Sequence, residues 1–176
     1  GSEMCIRDSM AAALDADPEL FAAAVDQHLS VLRGLNYPPP RNTAQQGQLR
    51  AGEHTDYGTL TIVLPGPGTG GLEVLRRDGK WCTVGPIDSG FVVNIGDMMA
   101  QWTNDRWRST RHRVVMPDPD ASLHERRLAI VFFHTPNWNA EISPIASCVD
   151  ETTPANYEPV LAGPWLMDKF DASTSA

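Results

Sequence analysis

Two kinds of hydrophobic spacing divide the chain. Asp17-Pro18-Glu19 combines a capping aspartate, a proline at the first helical position and an acid in the first turn, which is a helix start. Leu20, Phe21, Ala24, Val25, His28 and Leu29 follow at helical spacing, so a helix of about three to four turns is expected over 18–30. "VLRGLNYPPP" then reads as a strand closed by prolines 38–40, because proline cannot continue a ladder. From residue 48 the period shortens. "TLTIVLP", "GLEVLRR", "FVVNIGD", "HRVVMP" and "RRLAIVFFH" are short β-rich runs separated by "GPGTGG", "RDGKW", "GPIDSG" and "PDPDAS". Strands and turns at that spacing indicate a sandwich or barrel with few helices. A short helix is expected at "PWLMDKF".

Composition narrows the class. With 176 residues, one domain with a sizeable core is the default. Gly1-Ser2 has the look of a vector remnant, and 1–17 is expected to be a disordered leader, with the domain at 18–170 and a disordered tail at 171–176. A formal charge of −8 argues against nucleic acid as the main partner, and no run approaches the ~18 apolar residues of a membrane span. Three widely spaced cysteines (Cys5, Cys82, Cys148) suit a reducing cytoplasm better than a disulfide framework, and no CxxC pair suggests a thiolate zinc site.

The candidate chemistry begins at "GEHTDYGTLTIVLPG", where His54 and Asp56 stand two apart ahead of an apolar run. On a strand, residues i and i+2 share a face, so imidazole and carboxylate converge there and suit a divalent ion of intermediate softness. A lone His-x-Asp pair is close to what composition supplies by chance. Of the other histidines, His28 falls in the expected helix, His124 in an acidic turn and His134 at a strand end. His112, just ahead of the apolar "VVM", is either an ordinary edge-strand residue or the third member of a two-histidine, one-carboxylate set. Such a facial set leaves three positions open on iron. In "ERRLAIVFFH", alternation puts Arg127, Ala129, Val131 and Phe133 on one face. If that face is interior, Arg127 needs an anionic partner. An internal salt bridge is the simpler choice, and a ligand carboxylate gripped by the planar guanidinium is the other.

Together, "HTD" at 54–56, "GDMMAQWTNDRWRSTRHRV" at 96–114 and "RLAIVFF" at 127–133 resemble iron(II)/2-oxoglutarate oxygenases of the isopenicillin N synthase-like group. "LNYPPP", "GGLEVLRRDGKW" and "GFVVNIGD" fit the same family in the same order. The resemblance implies a mostly β, double-stranded β-helix (jelly-roll) fold with a flanking N-terminal helix and a short C-terminal helix. It implies His54, Asp56 and His112 as Fe(II) ligands, Arg127 on the distal carboxylate of 2-oxoglutarate, and Tyr37 helping to hold that cosubstrate. The implied activity consumes dioxygen and 2-oxoglutarate, releases succinate and CO₂, and oxidises a C–H bond of a small-molecule substrate by hydroxylation, desaturation or ring closure. "NIGD" and "WTNDRW" are expected to fix the turn and strand that present His112. The chain departs from the family at Ala129, where the usual Arg-x-Ser pattern has a serine. Alternatives are an iron oxidase that does not use 2-oxoglutarate, a zinc enzyme activating water on the same ligands, and a noncatalytic barrel that binds metal or 2-oxoglutarate.

Overall fold

The strands alternate between two sheets as the chain advances. In the computed structural model, which describes residues 2–39, 47–66, 70–85, 90–116 and 126–174, ten strands are seen among the described residues. They are β1 (Val31–Tyr37), β2 (Leu49–His54), β3 (Leu60–Pro65), β4 (Leu72–Leu75), β5 (Trp81–Val84), β6 (Val92–Ile95), β7 (His112–Val115), β8 (Arg127–His134), β9 (Glu141–Ile142) and β10 (Val160–Leu161). One antiparallel sheet has the order β1-β8-β3-β6 and the other β2-β7-β4-β5, while β9 and β10 pair separately. This is the jelly-roll architecture, closed by helices α1 (Ser2–Ala13), α2 (Asp97–Trp102) and α3 (Ala162–Thr174).

Alternation along β8 explains why the first sheet carries two cores. Arg127, Ala129 and Val131 are buried and point between the sheets, where Ala129 and Val131 pack with Val63. Leu128 and Ile130, on the other face, are exposed. At the far end of that outer face, Leu60 and Ile62 pack with Met98, Met99 and Trp102 of α2 into the larger cluster. Leu32, Leu64 and Val93 remain bare beside Leu128 and Ile130.

Three expectations change. The leader expected at 1–17 is mostly helix α1, and Met10, Ala11 and Leu14 are buried in the larger cluster. Their i, i+1, i+4 spacing makes one apolar stripe. The helix expected over 18–30 reduces to a short 3-10 helix at Pro18–Leu20, started as foreseen by Asp17 accepting from the Glu19 amide. Asn137 ends it. Its side chain accepts from the Gln27 amide and donates to Ala23 O, and its amide donates to Ala24 O, taking backbone groups that a helix would use internally. The tail expected from 171 onward is also helical through Thr174, and the Ser173 and Thr174 hydroxyls donate to Phe170 O. His124, the "PDPDAS" turn, Pro40 and parts of "GPGTGG" and "GPIDSG" lie outside the described residues.

Candidate active site

His54 and His112 are partners across the last rung of the β2–β7 pair, with ring centroids 4.3 Å apart. Each ring's Nδ1 lies against a backbone carbonyl, His54 against Gly52 O at 2.7 Å and His112 against Thr110 O at 3.0 Å. A carbonyl only accepts, so each Nδ1 carries the proton and each Nε2 presents a lone pair. Asp56 closes the set. Its Oδ1 is 3.7 Å from His112 Nε2, and ligand atoms of all three residues lie within 4.8 Å of one another. Asp56 is 6% exposed, and its Oδ2 is buried without a hydrogen-bond partner. A buried, unpartnered carboxylate oxygen beside two imidazole lone pairs fits a divalent cation of the iron or zinc type.

Asp56 reaches this position by a route other than strand pleating. β2 ends at His54, and Asp56 sits in the turn that carries the chain from the second sheet to β3 in the first. The first amides of α2 hold that turn. Asp97 N donates to Asp56 O at 2.7 Å, and Met98 N is shared between Gly58 O and Tyr57 O. These are the orphan donors of a helix start, satisfied by a neighbouring turn. Thr55 Oγ1 adds a 3.3 Å bond to the Asp97 carboxylate, which Lys169 of α3 also grips at 3.0 Å. Gly96 allows the close approach, since a Cβ there would overlap Gly58 O. "NIGD" therefore braces Asp56 rather than His112. "WTNDRW" likewise serves another segment: Asn104, at φ 51°, donates to Cys148 O and Pro154 O.

Arg127 faces inward with Ala129 and Val131 and is 9% exposed. Its Nε donates to Gly70 O at 2.8 Å, and its guanidinium carbon stands 5.2 Å from the centroid of Tyr37, its cross-strand partner. Val63, Leu72, Val84 and Val92 surround it. The internal salt bridge is not found: among the described residues no carboxylate pairs with Arg127. Burial pushes its pKa below the usual guanidinium value, Tyr37 partly offsets this, and the Arg50 charge adds to it. It stays protonated at neutral pH, a buried cation awaiting an anion.

The other described histidines stay out of the set. His134 is buried with Nδ1 2.7 Å from Thr59 Oγ1, and His28 is exposed and stacks on His134. A cavity of about 300 Å³ opens beside the triad, touching His54, Asp56, Tyr57, Phe133 and, on α3, Leu166 and Phe170. Phe133 lines this cavity, while Trp102 packs in the larger core cluster. The part played by α3 was invisible in the sequence, where "PWLMDKF" showed only a helix.

The model of the family described as 2OG-Fe(II) oxygenase superfamily matches residues 26–136, a span holding Tyr37, His54, Asp56, His112 and Arg127. The chain belongs to this superfamily. It is 35% identical to validamycin A dioxygenase of Streptomyces hygroscopicus subsp. limoneus over 147 residues, 82% of this chain and 40% of that protein. Identity to homoarginine-6-hydroxylase of Oryza sativa subsp. japonica is 36% over 142 residues, 79% of this chain and 42% of that one. Among solved structures, a full-length Neurospora crassa protein in complex with alpha-KG superposes with a TM-score of 0.88 at 34% identity, covering 96% of this chain and 52% of the other. The chain thus spans about half the length of the relatives it matches, or somewhat less.

Proposed function

We propose that this chain is the catalytic region of a non-haem Fe(II)- and 2-oxoglutarate-dependent oxygenase acting on a C–H bond of a small molecule. The observation that carries the reading is the pairing of two unsatisfied sites in one jelly roll. One is the His54–Asp56–His112 set with its orphaned Asp56 oxygen, and the other is the buried, carboxylate-free Arg127. His54, Asp56 and His112 would hold the iron. Together, Fe(II) and 2-oxoglutarate supply the oxidation, consuming dioxygen and releasing succinate and CO₂ while the substrate C–H bond is oxidised.

The protein's own tasks are positioning ones. The Gly52 and Thr110 carbonyls fix each imidazole's tautomer and direction. Arg127 would take the far carboxylate of 2-oxoglutarate, with the Tyr37 ring across the strand pair confining it. The cavity beside His54 and Asp56 would admit the substrate, and its volume suits a small organic molecule. Two relatives are named for small molecules, validamycin A and homoarginine, which supports the same substrate scale. No helix among the described residues is long and apolar enough to cross a membrane. The three free cysteines support a reducing compartment such as the cytoplasm.

Anaerobic titration tests the reading. Fe(II)-loaded protein is expected to develop a visible charge-transfer band as 2-oxoglutarate is added. Arg127→Met should keep the metal but require at least about tenfold more cosubstrate, the loss expected for a charge-assisted pair. Bound iron with no band at any 2-oxoglutarate concentration would favour an oxidase that dispenses with this cosubstrate, the alternative that Ala129 raises.

A further inference from the structure

Arg33 is a second cation on the inward face of the barrel. In the β1–β8 register, Val31, Arg33, Leu35 and Tyr37 oppose Phe133, Val131, Ala129 and Arg127. The face that buries Ala129 and Val131 therefore also carries Arg33. Unlike Arg127, Arg33 is exposed, standing where this face opens toward solvent. Its guanidinium carbon lies 5.7 Å from the Phe133 ring centroid, and no carboxylate among the described residues pairs with it. It lines the cavity that touches His54 and Asp56, whose remaining walls include Leu29, Val31, Phe133 and Phe170.

We infer that this cavity selects an organic anion, a carboxylate on an apolar body, with Arg33 pairing the carboxylate and the apolar wall taking the body. The inference rests on the proposed function, since it gives that site its substrate class. A planar guanidinium parked on an aromatic ring presents its edge to a ligand, the arrangement that favours bidentate pairing with a carboxylate. Asp56, the one carboxylate among the described residues lining the cavity, would spend its charge on the cation it helps bind. The two arginines then divide the anions: Arg127, enclosed and remote along the same face, for the cosubstrate, and Arg33, exposed at the cavity, for the substrate.

Calorimetric titration of the Mn(II)-loaded chain with matched phenyl acids and amides tests this. The series runs from benzoate to 4-phenylbutanoate, each acid against its own amide, with and without saturating 2-oxoglutarate. At least one acid should bind about tenfold or more tightly than its amide. Arg33→Gln should bring the pair within about twofold, while Arg33→Lys keeps part of the preference. Circular dichroism checks that these exposed-site variants fold. If every acid binds no better than its amide, or not at all, the inference is overturned; so it is if the preference survives Arg33→Gln. The 2-oxoglutarate titration is read separately, so failure of the cosubstrate reading and failure of the Arg33 assignment are distinguishable.

Discussion

Replacing Gly96 with alanine tests how the carboxylate of the triad is held. Gly96 sits at φ −97°, ψ 171°, a conformation open to any residue, so the substitution introduces no backbone strain of its own. The added methyl collides instead. It would overlap Gly58 O, stand 2.8 Å from Gly58 C where ordinary contact begins at 3.4 Å, and 3.1 Å from Asp56 O. All three are backbone atoms of the turn that carries Asp56, so no side chain can swing aside. Either α2 withdraws or the turn moves by roughly half an ångström or more. Withdrawal would stretch the 2.7 Å bond from Asp97 N to Asp56 O and the bonds from Met98 N. Overpacking of this kind costs about 1–3 kcal/mol, and misplacement of a reacting group by about 1 Å costs on the order of 10²-fold in rate. Gly96→Ala should therefore melt several degrees lower and bind Mn(II) at least about tenfold more weakly, read by thermal denaturation and calorimetry. A variant with the parent's melting temperature and metal affinity within about threefold would refute the brace.

Other expected outcomes follow from the same geometry. Asp56→Ala removes a buried oxygen with no partner, a defect worth about 1–3 kcal/mol. The metal-free variant should melt no lower than the parent, yet lose the rise in melting temperature that Mn(II) gives the parent; a markedly lower metal-free melting point would contradict this. Ala129→Ser returns a hydroxyl to a buried position two residues from Arg127 on its face, so the 2-oxoglutarate dissociation constant should fall by about tenfold, the worth of one bond to a charged group. An unchanged constant would show that the cosubstrate carboxylate does not extend to that position.

Much of the barrel was legible because its strands obey a period of two on a sheet buried on one face. β8 shows this most directly: alternation put Arg127, Ala129 and Val131 on one face, and that face is the buried one. The candidate triad was drawn from the family resemblance, since spacing alone left the His54–Asp56 pair near chance and His112 open, and strand pleating gave the wrong route to Asp56. His54 does end a strand, but Asp56 converges through a turn between sheets. An i, i+2 separation is compatible with both, and only the hydrogen bonds from α2 decide. Helix α1 was missed because Met10, Ala11 and Leu14 make a stripe whose value depends on Met98, Met99 and Trp102, far away in the chain. The helix over 18–30 was overestimated for the converse reason, since Asn137 claims backbone groups from a distance of more than a hundred residues. Propensity reports the local preference, and tertiary partners override it.

If His54, Asp56 and His112 hold an ion as proposed, the location of Asp56 would give that ion a role in assembly as well as chemistry. Two of the three donors sit at strand ends of the second sheet, and the third sits on the connection into the first. An ion shared by all three would pin the turn through which β2 hands the chain to β3 and make the sheets open as one cooperative unit. Metal removal should then show up in amide exchange as earlier opening of the Thr59–His134 crossing and the His112 end of β7.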